Sequence, residues 1–264
     1  GVSGDGIVQN ALEKIGYTTY GVFPYYYFFY EVGSSYDVSY PDSNPSKLTF
    51  MPLLNAILVG EFRFEFTLSE EITDSSHNEY VSRKQDSLRA GLKGPSFIYS
   101  HSNIPNHSQN SGACLPNETQ LYQERLNEAN QEMKTDVKQI LEHDPGSIII
   151  IAGDHGPYLT KNCVSLTDFY EKSEINRQDI QDRHATFLAI RWAEDDNAQY
   201  DDITVLQDVF PAIFAFMFED SQIIMNSKVP AITKPFYTGG VYVNNGVIVG
   251  GANDNEPLFL TQKK

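Results

Sequence analysis

The stretch Ser-Ile-Ile-Ile-Ile-Ala-Gly-Asp-His-Gly at residues 147–156 constrains the chain more than any other. Four consecutive isoleucines, bounded by Pro145-Gly146 and by Gly153, have the length and the turn signals of a strand buried on both faces, which predicts a central parallel strand. Asp154 and His155 follow directly at its carboxyl end. In open α/β sheets that edge is where ligands bind, so this pair is the first candidate for chemistry.

A chain of 264 residues with 41% hydrophobic and 20% charged residues can bury a full core as one large or two modest domains. Nineteen basic residues against 35 acidic ones give a formal net charge of -16. Such a surface repels polyanions, which argues against a nucleic-acid partner and against docking on an anionic membrane through a basic face. An anionic small substrate remains compatible, because a bound metal ion reverses the local potential. No segment is both long and apolar enough to span a bilayer. The chain begins Gly-Val-Ser-Gly-Asp-Gly, without an initiator methionine or an apolar leader, which suggests an excised piece of a longer protein. Cys114 and Cys163 lack metal-type spacing and leave two readings, a disulfide or two thiols.

Along the chain, Ile7, Val8, Ala11, Leu12 and Ile15 fall at helical spacing before Gly16, and Tyr17–Phe23 reads as the strand that follows. The six aromatics Tyr25–Tyr30 read as core-packing area in a loop or short helix rather than a base-stacking platform, since no basic residues interleave with them. An apolar helix is expected over Leu48–Leu58, and Glu61–Thr67 is either a half-buried strand or a helix-end segment. A polar helix over His77–Leu92 leads to the strand Ser96–Ser100, which ends on His101. The polar loop Asn103–Pro116 carries His107. The next helix sets Tyr122, Leu126, Ala129, Met133, Val137 and Ile140 at spacings of three and four, with Asn117 and Gln120 resembling a capping box. Strand, helix and isoleucine strand then predict one right-handed βαβ crossover that brings His101, His107, Asp154 and His155 to one sheet edge. Beyond it lie a strand at Thr186–Trp192, an apolar helix at Ile203–Phe218 with Asp202 as cap and Pro211 as a kink, and a hairpin turned by Asn245-Gly246.

An Asp-His pair at a strand end has an ordinary reading, in which both side chains bond the loop backbone. Three features favour chemistry instead. Glycines flank the pair and permit close approach, carboxylate with imidazole suits a divalent ion such as zinc or manganese, and two more histidines converge on the same edge.

The order Phe-Ile-Tyr-Ser-His101, the Pro-Asn-His107 loop, the Tyr122 helix, Ile-Ile-Ile-Ile-Ala-Gly-Asp154-His155-Gly156 and Arg183-His184-Ala-Thr-Phe-Leu-Ala-Ile resembles the sulfatase branch of the alkaline phosphatase superfamily, which includes phosphoethanolamine and phosphoglycerol transferases. The resemblance covers roughly residues 5 to 218. It implies a three-layer α/β/α sandwich around a mostly parallel sheet over residues 1–228, with residues 229–264 as a β-hairpin extension of the same domain. It also implies that Asp154 and His155 ligate a divalent metal, zinc or manganese first, calcium or magnesium as alternatives. His101 and His107 would bind the anionic group or protonate the leaving oxygen. Asn106 stands between Pro105 and His107, so either histidine can be the functional one.

In that family the nucleophile and the first acidic ligand lie upstream of the segment that Ile7–Tyr20 is similar to, so the resemblance implies that this chain starts after them and is inactive alone. No Cys-x-Pro-x-Arg signature occurs, and Ser3 reads more simply as part of a cap than as a nucleophile. The implied activity is metal-dependent hydrolysis or transfer of phosphate or sulfate esters, on a lipid or glycan, at the extracytoplasmic face of a membrane to which the parent protein is anchored. The alternative is a superfamily member that has lost catalysis and serves as a binding or scaffold domain. Asn106 and Asn117 head Asn-x-Ser/Thr sequons, for which chance is the default account.

Overall fold

The structure, a computed structural model, describes residues 6–24, 35–41, 74–91, 93–108, 114–164, 170–194, 197–233 and 240–260. The expected aromatic segment Tyr25–Tyr30, the helix Leu48–Leu58, the segment Glu61–Thr67 and Ser3 lie outside them. The protein is mixed α/β and divides into two units, residues 1–103 with 134–144, and residues 104–133 with 145–264. Among the described residues no helix is long and apolar enough to cross a membrane.

The first unit is built on a three-stranded parallel sheet in the order β2-β1-β3, from β1 (Thr18–Val22), β2 (Val38–Tyr40) and β3 (Ser96–Ser100). Helix α1 (Ile7–Lys14) runs into β1 through Gly16, whose φ of 92° is the left-handed conformation that the sequence pattern required there. Phe23 and Tyr36 are buried, and Phe23 packs its ring against Tyr36 and Tyr99 at 6.1 and 5.8 Å. A Cβ on Gly21 would stand 2.5 Å from the Tyr36 ring, so the bare backbone of β1 is what lets that ring cross it. Helix α2 (Asp74–Gly91) packs on β1 and β3, with the buried Tyr80 hydroxyl 2.8 Å from Ser100 Oγ. Lys84, also buried, is paired with Asp136 at 2.7 Å. Asp136 lies on α3 (Glu118–His143), the long helix that the apolar spacing foretold.

In the second unit the isoleucine strand departs from expectation. β4 (Ile149–Ala152) pairs antiparallel with β5 (Leu188–Arg191), in the register Ile150↔Ile190 and Ala152↔Leu188. Among the described residues no ladder joins β4 to β3, so the single parallel crossover sheet is not what forms, and His101 and Asp154 follow strands of two different sheets. None of the four isoleucines is fully buried. Ile148, Ile150, Leu188 and Ile190 pack onto a core of Trp192, Tyr200, Val209, Ala212, Ile213 and Ala215. A continuous apolar run reports that a strand is wanted by the core; it carries no information about the direction of its partner.

That core is completed by α6 (Val209–Met217), entered through a 3₁₀ turn at Leu206–Asp208. Pro211 is the third residue of the helix, where a backbone N–H has no intrahelical acceptor, so it starts the helix instead of kinking it. Asp202 is not the cap. Its carboxylate meets Lys228 at 2.8 Å, while Asp208 occupies the cap position and accepts from the Val229 N–H at 3.0 Å. The hairpin β6 (Tyr242–Asn244) and β7 (Val247–Val249) forms as expected, with Asn245 and Gly246 at φ 50° and 75°, the signature of a type I′ turn. Its Val241, Val243 and Ile248 share a core with Ile175, Ile180 and Leu258. Cys114 and Cys163 are joined in a disulfide, which resolves the two readings.

Candidate functional site

Asp154 and His155 lie just beyond β4, in a loop held by backbone contacts on both sides. Gly153 donates to the Phe187 carbonyl at 2.9 Å, and Thr186 Oγ1 donates to the Gly153 carbonyl. Gly156 lies against α5 (Arg177–His184), where a Cβ would stand 2.0 Å from the Asp182 carbonyl oxygen. Both flanking glycines therefore serve close approach, of the Thr186 hydroxyl at Gly153 and of the Asp182 backbone at Gly156. The loop then hangs on one carboxylate. Asp182, buried on α5, accepts from the N–H groups of Leu159 and Thr160 at 2.7 and 3.1 Å, from Thr160 Oγ1 at 2.9 Å and from Nδ2 of Asn162, on the short helix α4 (Lys161–Val164), at 2.9 Å.

His107 reaches the same place from the other side. Its own carbonyl accepts from Arg125 Nη2 at 3.0 Å, its N–H donates to Asn106 Oδ1 at 2.8 Å, and the next residue, Ser108, donates its N–H to the Pro157 carbonyl at 2.9 Å. Three rings result in a cluster. His107 and His155 have centroids 5.7 Å apart, Tyr158 is 5.2 Å from His107, and Tyr158 lies on His155 at 4.6 Å with only 10° between the planes. The Arg183 guanidinium is 5.8 Å from the Tyr158 centroid.

The hydrogen bonds fix the tautomers. His107 Nδ1 is 2.8 Å from the Ser108 carbonyl and His155 Nδ1 is 2.8 Å from the Gly156 carbonyl. A carbonyl only accepts, so Nδ1 carries the proton in both rings and Nε2 presents a lone pair when the ring is neutral. This is the arrangement in which an imidazole serves as a metal ligand oriented from behind. His155 Nε2 lies 3.7 Å from Asp154 Oδ1, and the Asp154 side chain is 72% exposed. Ligands at 2.0–2.2 Å from a tetrahedral ion stand about 3.4 Å apart, so two lone-pair donors at this spacing fit a shared divalent ion. Among the described residues no further His, Cys, Asp or Glu brings a ligand atom within 4.8 Å of both.

Burial raises the phenol pKa of Tyr158 in the ring cluster and of Tyr122 on α3. For Tyr158, Arg183 opposes the rise while Asp154 and Asp182 add to it; for Tyr122, Arg125 opposes and Asp182 adds. Both stay neutral phenols at ordinary pH. His184 is driven the opposite way, to about 4, by burial and then by Arg183, so it is an uncharged imidazole at neutral pH.

Of the expected site residues, the second unit brings together His107, Asp154 and His155. His101 belongs to the first unit, where its backbone N–H continues the sheet by donating to Val22 at 3.0 Å. Tyr158, Arg125, Arg183 and Asp182 take part in the geometry, and sequence reasoning assigned none of them a role. The Gly156-Pro157-Tyr158 turn directly after the pair was the available signal for the tyrosine. Compared with known proteins, the sequence matches no family model, no curated protein and no solved structure at a significant level.

Proposed function

We propose that this chain is part of a metal-dependent hydrolase or transferase acting on phosphate or sulfate esters, of the sulfatase-like kind, with a complete domain arranged as a three-layer α/β/α sandwich. The observation that carries the reading is the pair Asp154 Oδ1 and His155 Nε2 at 3.7 Å, with the imidazole oriented by its Nδ1–H on the Gly156 carbonyl. A divalent ion held there, zinc or manganese by donor chemistry, would activate a hydroxyl nucleophile and neutralise an ester oxygen. His107, in contact with His155, is placed to meet the anionic group or to protonate the leaving oxygen. The disulfide is in keeping with an oxidising, extracytoplasmic setting; a membrane-anchored parent that modifies a lipid or glycan rests on the resemblance alone.

A second reading, a scaffold or binding domain without catalysis, draws on the exposure of Asp154 and on the lack of a third ligand among the described residues. Calorimetric titration of the full chain with manganese and zinc chloride separates the two. The metal reading expects binding that Asp154→Asn and His155→Gln each weaken at least tenfold, with any turnover of p-nitrophenyl phosphate or sulfate lost alongside. Binding unchanged in both variants, or absent from the parent chain, refutes it.

A further inference from the structure

We infer that Tyr158 is a positioning residue for His155, acting through the face of its ring and not through its hydroxyl. An imidazole on a side chain has two torsions, and aiming Nε2 requires both to be fixed. The bond from Nδ1 to the Gly156 carbonyl at 2.8 Å restrains rotation within the ring plane. It leaves the tilt of that plane free, and the near-parallel Tyr158 ring, 4.6 Å away at 10°, restrains the tilt. Together they leave His155 Nε2 directed to the side where Asp154 Oδ1 lies.

The backbone is arranged to deliver that ring. Tyr158 has φ 57°, a left-handed conformation that is unfavourable for a bulky residue and persists only where surrounding contacts impose it. The imposing contacts are identifiable: the Tyr158 N–H donates to the Asp182 carbonyl at 3.4 Å, and the two N–H groups that follow are held by the Asp182 carboxylate. Hydrophobic burial does not account for it, because Tyr158 is half-buried and belongs to neither hydrophobic core cluster of its unit. Arg183 on the ring and His107 beside it complete a wall that leaves the Asp154 side of His155 open.

This inference deepens the metal reading, and it is tested by a signal that needs no metal. In the metal-free full chain, ¹⁵N-edited NMR of the histidine rings should show His155 as the Nδ1–H tautomer, with its carbon-bound ring protons shifted upfield by the stacked phenol. Tyr158→Phe should preserve both signatures. Tyr158→Leu should abolish the upfield shift and mix the tautomers, and where the parent chain binds manganese it should weaken that binding about tenfold, the lower end for an orienting partner. If Tyr158→Leu does not fold, the parent spectrum still decides: His155 ring protons without an upfield shift overturn the inference. So does a Tyr158→Phe variant that loses the tautomer, since the hydroxyl would then be the operative group. A parent chain that shows the stacked Nδ1–H ring but binds no metal refutes the metal reading and leaves the positioning role intact.

Discussion

Replacing Asp182 with alanine removes the acceptor on which the loop after His155 is hung. Four donors lose their partner at once, two backbone N–H groups, one hydroxyl and one side-chain amide, and Asp182 is only 8% exposed. Hydrogen bonds to a charged group contribute about 1.5–3 kcal/mol each, so simple addition would give roughly 6–12 kcal/mol. Addition overstates the loss, because Leu159 and Thr160 are only half-buried and water can reach donors released there. We expect about 3–5 kcal/mol for Asp182→Ala, the range for breaking a buried polar network, and about half of that for Asp182→Asn, which keeps one acceptor oxygen. The assay is provided by the molecule. Trp192 is the single tryptophan and is buried in the core of the same unit, so its fluorescence in a urea titration reports the unfolding of that core. A loss under about 1 kcal/mol for Asp182→Ala would refute the claim that this carboxylate organises the loop.

Reduction of the Cys114–Cys163 disulfide, which spans 49 residues, should lower the same Trp192 unfolding free energy by about 4 kcal/mol in the chain-entropy picture, read by comparing urea midpoints with and without a phosphine reductant. His184 should make stability depend on pH. Its folded pKa lies near 4, below the unfolded 6.5, so the unfolded chain takes up the proton first; stability is complete above pH 6.5 and falls as pH drops toward 4. His184→Gln should flatten that part of the pH profile of the urea midpoint. Gly156→Ala, which drives a Cβ into the Asp182 carbonyl, should cost about 1–3 kcal/mol, whereas Gly94→Ala, with nothing within 4 Å, should stay within about 0.5 kcal/mol by thermal or urea unfolding.

What could be read in advance was local. The helix before Gly16, the strand ending at Ser100, the long helix through Tyr122 and the Asn245-Gly246 turn each depend on residues within one or two turns of one another, and each formed where its pattern placed it. The isoleucine strand was found but its surroundings were not, because the identity of its neighbour depends on where residue 188 returns, and no periodicity encodes that. The Asp154-His155 pair was legible as adjacent letters. The carboxylate that holds their loop was not, since Asp182 is one acid among 35 acidic residues and its partners lie 20 to 23 residues earlier in the chain. His101 follows a strand that formed where its pattern placed it, but that strand belongs to the parallel sheet of the first unit, so the expected single crossover does not link it to Asp154.

The last segment of the chain grips helix α5 from outside. Arg177 pairs with Glu256 and donates to the Pro257 carbonyl at 3.0 Å, its N–H meets Asn253 Oδ1 at 2.9 Å, and Gln181 donates to the Leu258 carbonyl at 2.7 Å. Because α5 carries Asp182, residues some 75 to 80 positions further on help to set where the His155 loop can anchor. Evolution then cannot treat the hairpin as a detachable ornament. In diverging sequences, positions 177 and 256 should drift as a pair, and a lineage that discards the tail should also lose the acid at 182.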